Sequence, residues 1–246
     1  MTHYSIIFIL GLLIGSFLNA VIYRLDSGES IIKARSHCPK CGHVLAWYEL
    51  VPVVSFAIQG GRCRSCREKI SFQYPFVELA TGVIFVALWA GQLFIFLYLA
   101  AVSSFLIIIF VYDLKRYIIP DRIIYPAILI SGIWRAVSGD TLVGMYVALA
   151  VSSFFAAIFF VSRGKWLGFG DVKFAFFMGL FLGWPNILVA LFTAFILGGI
   201  IGIGLVVSRR KTMKSQVPFG PFLVTGTFVA MFFGEKVVKW YLGLLI

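Results

Sequence analysis

Hydrophobic positions in this chain fall into eight long apolar stretches. A helix needs about 20 such residues to cross the hydrocarbon core of a membrane. The pattern therefore predicts an all-α integral membrane protein with about eight transmembrane helices, the sixth short and the last least regular. The stretches lie at residues 4–23, 75–91, 93–112, 119–137, 141–161, 172–186, 187–208 and 219–245.

Composition indicates the same class. Hydrophobic residues make up 61% of the 246 positions and charged residues only 13%, which a soluble domain of this size would expose as aggregating surface. The first stretch lacks a basic leader and a small-residue cleavage site, so we expect it to stay in the mature protein. We predict three parts: a first transmembrane helix (1–23), a polar insertion (24–74) and a seven-helix membrane domain (75–246).

Basic residues predict the orientation, because short loops rich in Lys and Arg stay in the cytoplasm. If the N-terminus lies outside, every Lys and Arg except Arg135, Lys236 and Lys239 follows the first, third, fifth or seventh stretch. Both termini are then outside and the insertion is cytoplasmic. The net charge of +11 is accounted for by topology and by contact with anionic membrane lipid, so no nucleic acid is expected as a partner.

Four cysteines lie in the insertion, as Cys38-Pro-Lys-Cys41 and Cys63-Arg-Ser-Cys66. Two such knuckles match a tetrahedral zinc site in which four thiolates leave no position for substrate. Disulfides are disfavoured in the reducing cytoplasm, and a redox role would leave the matched pair of motifs unexplained. We predict structural zinc, because a segment of about 50 residues is too small to be stabilised by apolar burial alone.

The segment between the knuckles, from Trp47 to Phe56, is rich in aromatic and aliphatic residues. It is either the core of the insertion or a lip at the membrane interface, with substrate contact as the third interpretation. His37 and His43 flank the first knuckle and could each replace a cysteine ligand. With four cysteines present, we interpret them as ordinary polar residues.

Two aspartates at the ends of apolar stretches are the candidate catalytic residues. Asp113 lies at the negative end of a helix dipole, where it has no capping role. Asp171 follows Gly168-x-Gly170, and glycines let a loop adopt unusual angles and let another chain approach closely. Carboxylates at the edge of hydrocarbon are costly and usually functional. Because topology places both on the cytoplasmic side, they can face one another and share a proton as in aspartic proteases.

The remaining motifs have plainer interpretations. Asp121, after Ile119-Pro120, is expected to cap a helix N-terminus. Glu78 is expected to reach the interface or to bond a neighbouring helix. Gly11-x-x-x-Gly15 and Gly198-x-x-x-Gly202 suit close helix packing. The loop Gln216–Phe222 breaks a helix and is expected to border the active site, because irregular backbone in a membrane must be buried or line a wet cavity.

These residues resemble, along nearly the whole chain, the type IV prepilin peptidases, also called prepilin leader peptidases/N-methyltransferases. The matching segments are Gly15–Arg24, Cys38-Pro-x-Cys41-Gly-His, Trp47–Ser55, Gly61-Arg-Cys63-Arg-x-Cys66, Tyr74-Pro-x-Val-Glu78, Asp113-Leu-x-x-x-x-Ile119-Pro-Asp121, Gly168–Lys173 and Pro218–Phe222. The resemblance assigns the catalytic pair to Asp113 and Asp171.

The resemblance also implies the substrates and the second activity. Such enzymes of the bacterial inner membrane cut the basic leader from prepilins or pseudopilins after a glycine. Members with the cysteine-bearing insertion then methylate the new N-terminal amine with S-adenosylmethionine. No Rossmann glycine fingerprint is visible, so the sequence does not locate the methyl-donor site.

Two alternatives remain open from the residues. A different intramembrane aspartyl protease, of the presenilin or preflagellin kind, is disfavoured by the cysteine knuckles. A non-enzymatic transporter or secretion scaffold would use the carboxylates to bind protons or cations, but the chain shows no internal repeat in its support.

Overall fold

A computed structural model describes residues 2–31, 34–208 and 217–244. Gln216, Lys33 and the basic residues of 209–214, for which the sequence predicts a cytoplasmic position or a place beside the active site, lie outside the described residues. Within the described part the regular structure is helical, and two isolated antiparallel bridges, His37 with Val44 and Arg62 with Lys69, are its sole β-type pairings.

In the part of the chain that the structure describes, eight long helices match the eight predicted stretches, and the insertion contains a short 3₁₀ turn (Trp47–Leu50) and the short helix α2 (Val54–Ile58). The prediction of an all-helical protein is therefore confirmed. The long helices are α1 (Thr2–Ser27), α3 (Gln73–Leu88), α4 (Leu93–Arg116), α5 (Asp121–Ser138), α6 (Thr141–Ser162), α7 (Phe169–Leu182), α8 (Asn186–Val207) and α9 (Gly220–Gly243).

Five of these helices, α1, α4, α6, α8 and α9, are long and apolar enough to cross a membrane, and α3 is a shorter apolar helix. The chain is a multi-pass membrane protein. Helix α7 has 14 residues and so spans about 21 Å, less than the hydrocarbon core of about 30 Å. It begins three residues earlier than predicted and ends at Leu182, because the next residue, Gly183, has a φ of 66° that does not continue the helix.

The chain forms two compact units, Met1–Ile108 and Ile109–Ile246. In the first, α1 packs along α3 through small residues, as the Gly11 and Gly15 motif predicts. A Cβ on Gly11 would lie 2.6 Å from the Cα of Gly82, and one on Gly15 would lie 2.7 Å from the Cα of Glu78. Asn19 extends this contact by donating to the carbonyl of Tyr74 at 3.1 Å.

In the second unit, α7 packs against α5 and α6, and α8 packs along α9. A Cβ on Gly179 would collide with the backbone of Ala148, and one on Gly226 would collide with the carbonyl of Ala190, so both helix pairs are in close backbone contact. The side chains of Phe174, Phe177 and Met178 are fully buried. Helix α7 is therefore enclosed by protein, which holds its N-terminal turn in place.

Candidate active site

Asp113 lies in the last turn of α4, as the sequence predicts, and only 4% of its surface is exposed. Its carboxylate accepts a hydrogen bond from the backbone N–H of Gly220, the first residue of α9. A Cβ on Gly220 would lie 2.5 Å from Oδ2 of Asp113. The start of α9 thus rests directly on the carboxylate, and Gly220 is the residue of the expected segment Gln216–Phe222 that borders Asp113.

Asp171 lies in the first turn of α7 and is 8% exposed. Its Oδ2 accepts a hydrogen bond from the backbone N–H of Gly168 at 3.0 Å, and its own N–H donates to the carbonyl of Gly168 at 3.1 Å. These two bonds close a tight turn around the carboxylate. Gly170 packs against Ile119, whose Cβ would be 3.1 Å from a Cβ at that position.

The structure brings the two aspartates together. Both belong to the second unit, and their carboxyl groups lie close enough to interact through their charges. Each has one bond from a glycine N–H, and burial disfavours two negative charges in the same place. Such an arrangement disfavours ionisation of both carboxyls at once, and a pair with one carboxyl protonated can carry out general acid and general base chemistry.

Asp121 and Lys173 form an ion pair beside this site. The expected cap position falls on Pro120; Asp121 is the first residue of α5, and its Oδ1 lies 2.6 Å from the Nζ of Lys173 in α7 instead. The Lys173 Nζ also lies 5.2 Å from the ring centroid of Tyr125 and 5.3 Å from that of Phe169. The pair joins the first turns of α5 and α7. Sequence inspection missed this contact, because nothing in the local pattern links residues so far apart.

Glu78 has a structural partner in the insertion. Its Oε2 accepts a hydrogen bond from the backbone N–H of Val53 at 2.7 Å, and the side chain of Ser16 on α1 is a second partner. Glu78 thus bonds both the neighbouring helix, as expected, and the insertion, which was not foreseen. Val53 has φ 61° and ψ −48°, an uncommon conformation for a β-branched residue.

The four cysteines form one cluster in the first unit. Their Sγ atoms all lie within 4.8 Å of one another, and Sγ of Cys38 is 3.9 Å from Sγ of Cys66. Zn–S bonds of about 2.3 Å in a tetrahedron put the sulfurs about 3.8 Å apart. The cluster is therefore able to hold a metal ion, with Cys38 and Cys63 buried and Cys41 and Cys66 exposed.

The two knuckles have the same backbone geometry. The residue after each second cysteine, Gly42 or Arg67, has positive φ and donates its N–H to the carbonyl of the first cysteine at 2.9 Å. In the second knuckle, backbone N–H groups of Cys66 and Ser65 lower the pKa of the Cys63 thiol to about 6. A lowered pKa favours the thiolate, the form that binds metal.

Among the described residues, the cluster contains the four cysteines and neither His37 nor His43. The Nε2 of His37 lies 3.4 Å from the Tyr23 hydroxyl, and the Nε2 of His43 lies 3.2 Å from Oε2 of Glu49. Their interpretation as ordinary polar residues agrees with these contacts. Trp47 is 78% exposed, so it does not belong to a core of the insertion.

Comparisons with known proteins cover most of the chain. Residues 9–91 match the bacterial peptidase A24 N-terminal domain, and residues 100–203 match the type IV leader peptidase family. Of the solved structures, none matches the chain.

Several curated relatives are each called prepilin leader peptidase/N-methyltransferase. The Bacillus subtilis (strain 168) protein is 34% identical, over 98% of this chain and 99% of its own length. The Aeromonas hydrophila protein is 30% identical over 98% of this chain and 94% of its own length. The protein of Aeromonas salmonicida (strain A449) is 28% identical over 99% of this chain and 95% of its own length. With this identity over nearly its whole length, the chain belongs to the type IV leader peptidase family of enzymes.

Proposed function

We propose that this enzyme removes the basic leader from type IV prepilins or pseudopilins with Asp113 and Asp171 as its catalytic pair, and that it then methylates the new N-terminal amine. The observation that carries the peptidase part is the pair itself: two buried carboxyls from distant helices that interact through their charges. The names of the relatives support the substrate and the second activity.

The mechanism follows from the shared proton. One aspartate, ionised, takes a proton from water as the water oxygen attacks the scissile carbonyl carbon. The other, protonated, donates a hydrogen bond to the carbonyl oxygen and gives its proton to it, which leaves a gem-diol. The C–N bond then breaks as a proton returns to the leaving amine. The two carboxyls titrate as a unit, so the roles belong to the pair.

Glycines beside the pair support access by an extended peptide. Gly168, Gly170 and Gly220 flank the two carboxyls without side chains of their own. The absence of Cβ atoms lets a substrate backbone approach the catalytic groups closely. A bulky residue at any of these positions would occupy the space that the scissile bond needs.

The second activity belongs to the insertion in this proposal. S-adenosylmethionine supplies a methyl group on a sulfonium, and the chain must hold this donor near the freed amine. The cysteine cluster holds structural zinc, supported by the sulfur distances, and keeps the insertion folded. The division into helix 1–23, insertion 24–74 and membrane domain 75–246 corresponds to this separation of tasks.

The location in the bacterial inner membrane, with the insertion and the active site on the cytoplasmic side, is part of the same proposal. It rests on the basic loops and agrees with a basic leader that remains in the cytoplasm.

The test is cleavage of a purified prepilin by single variants. Asp113→Asn and Asp171→Asn should fold and leave the prepilin uncut, because either change removes the shared proton. Asp121→Asn breaks only a half-exposed ion pair worth about 0–1 kcal/mol, so it should lower kcat/KM by no more than about fivefold. Mass spectrometry of the substrate measures cleavage by each of the three variants.

Asp140→Asn is the matched control, since Asp140 is an exposed aspartate far along the chain from both catalytic candidates. It should cut at the rate of the unmodified enzyme. Full activity of Asp171→Asn would contradict the assignment of the pair. Absence of cleavage by the unmodified enzyme would instead favour a transporter or scaffold.

A further inference from the structure

The segment between the two knuckles exposes aromatic side chains beside a buried carboxylate. Trp47 and Tyr48 open the 3₁₀ turn, are 78% and 46% exposed, and meet edge to face with ring centroids 5.8 Å apart. Glu49 follows directly, and its side chain is only 2% exposed. An exposed aromatic face next to a buried carboxylate can bind a ligand that carries both a flat ring and hydrogen-bond donors.

Glu49 has an unused hydrogen-bond acceptor. Its Oε2 accepts from the backbone N–H of Ala46 at 2.9 Å and contacts Nε2 of His43 at 3.2 Å. Its Oε1 is buried and has no hydrogen-bond partner among the described residues. The bond from Ala46 lowers the pKa of Glu49, so the group is a carboxylate at neutral pH. A buried acceptor without a donor is unfavourable, and a hydrogen bond from a ligand hydroxyl would offset that cost.

Arg64 connects this segment to the second knuckle. Its Nη1 donates to the Tyr48 hydroxyl at 3.1 Å, and its guanidinium carbon lies 5.5 Å from the Tyr48 ring centroid. Its charge also acts on Glu49. His43 follows the first knuckle and Arg64 lies inside the second, so the cysteine cluster holds both sides of the arrangement. We call Trp47, Tyr48, Glu49 and Arg64 the aromatic–acid cluster.

We propose that the aromatic–acid cluster binds S-adenosylmethionine, an inference that rests on the methyltransferase part of the proposed function. The adenine stacks on the more exposed ring, Trp47, whose orientation the edge-to-face contact with Tyr48 supports, because an aromatic face binds a base plane without needing a defined edge. The ribose hydroxyls donate to Oε1 of Glu49, as acidic residues do in nucleotide sites. The donor's carboxylate pairs with the remaining N–H groups of Arg64.

A lipid surface fits these residues less well. Trp and Tyr are common at membrane interfaces, so the two rings alone would suit either partner. A lipid phosphate could pair with Arg64, but it carries no hydroxyl donor for Oε1 of Glu49. A ligand that carries hydroxyl donors and a carboxylate uses both Glu49 and Arg64.

Direct binding tests the assignment. The purified full chain with its metal is titrated with S-adenosylhomocysteine by calorimetry, so that no turnover is needed. Trp47→Ala, Tyr48→Ala and Glu49→Gln should each weaken Kd by about tenfold or more, with unchanged metal content showing that the insertion is folded. A tenfold change corresponds to about 1.4 kcal/mol.

Two controls match these variants in chemistry. Phe72→Ala removes another aromatic of the insertion, 79% exposed, and Glu68→Gln neutralises an exposed carboxylate of the second knuckle. Both should bind S-adenosylhomocysteine like the unmodified chain. Equal weakening by the controls would overturn the assignment.

Methylation of the processed pilin by the unmodified enzyme is measured as added mass. This measurement distinguishes failure of the methyltransferase function from failure of the donor site proposed for it. If that enzyme methylates but the three variants retain its Kd, the donor binds elsewhere and the inference is wrong. If the aromatic variants retain Kd and instead slow cleavage of prepilin in membranes, the rings contact the pilin or lipid, which also overturns it. If the unmodified enzyme cleaves but neither binds nor methylates, the methyltransferase function itself fails.

Discussion

The space around Asp113 and Asp171, the proposed catalytic pair, limits which residues their neighbours can be. Gly220 lies against Asp113 so closely that a methyl group there would overlap the carboxylate, while Gly168 donates to Asp171 through its N–H. Glycine is therefore needed at Gly220 for space. Its φ does not fall in the left-handed region, so conformational freedom is not the reason.

Gly220→Ala should lower cleavage by at least about tenfold while the protein remains folded. The added Cβ would meet Oδ2 of Asp113 at 2.5 Å, so the carboxyl has to turn away from its partner. Mispositioning of a catalytic group by about 1 Å costs up to about a hundredfold in rate. Steady-state kinetics with a prepilin should show the loss in kcat rather than in KM.

Gly199→Ala in α8 is its control, because nothing lies within 4 Å of a Cβ at that helical position. It should cut prepilin normally and melt no lower than the unmodified enzyme. A fully active Gly220→Ala enzyme would contradict this prediction, because it would mean that the carboxyl of Asp113 can move without loss of cleavage activity.

At the scale of elements, turns with unusual backbone angles hold the insertion together. Val53 is the centre of a γ-turn with positive φ, in which the N–H of Val54 donates to the carbonyl of Pro52 at 2.5 Å. This conformation is strained for valine and costs about 1–3 kcal/mol. The bond from the Val53 N–H to Glu78 compensates for part of that cost and attaches the insertion to α3.

The knuckles allow a direct test of backbone strain. Arg67 has φ 61° where the first knuckle has Gly42 with φ 72°. A left-handed conformation costs an L-residue about 1–2 kcal/mol and glycine almost nothing, although glycine loses more entropy on folding. Arg67→Gly should therefore stabilise the metal-loaded insertion by about 0.5–1 kcal/mol, measured as a higher melting temperature in detergent.

Lys40→Gly is the matched change in the first knuckle, at a residue whose φ is not positive. It should leave the melting temperature equal or slightly lower, because glycine there adds only unfolded-state freedom. A lower melting temperature for Arg67→Gly would show that the arginine side chain stabilises the knuckle more than its backbone destabilises it.

At the scale of the whole molecule, sequence predicted the features that depend on local pattern. Eight helices follow from hydropathy, and the cysteine cluster follows from two spaced motifs, because each signal lies within one segment. Asp113 and Asp171 were paired by topology and family resemblance, and the fold places them near each other. Their catalytic role stays a prediction.

The contacts that sequence missed join distant segments or contradict local preference. No pattern links Asp121 with Lys173, or the Val53 N–H with Glu78, since either partner alone looks like a helix-end or interfacial residue. Valine also has a low preference for positive φ, so its turn could not be predicted from propensity. These contacts depend on tertiary packing, and a local sequence pattern contains no information about it.

The whole-molecule prediction is that the two activities separate. The proposed catalytic pair belongs to the second compact unit, whereas the cysteine cluster and the aromatic–acid cluster belong to the first. Loss of the metal through Cys63→Ser with Cys66→Ser should therefore reduce methylation more than cleavage. Elemental analysis should find about one zinc per unmodified chain, with Zn–S distances of about 2.3 Å, and less in the double variant.

The comparison has to be made at equal amounts of folded protein, because losing a structural metal can unfold the insertion and slow both reactions. Ser65→Ala, an exposed change between the same two cysteines, is the control and should retain zinc and both activities. Mass spectrometry of one processed substrate measures leader removal and added methyl groups together. Equal loss of cleavage and methylation, or normal methylation without zinc, would contradict the assignment of methyl transfer to the insertion, since a metal that organises the donor site must affect that reaction first.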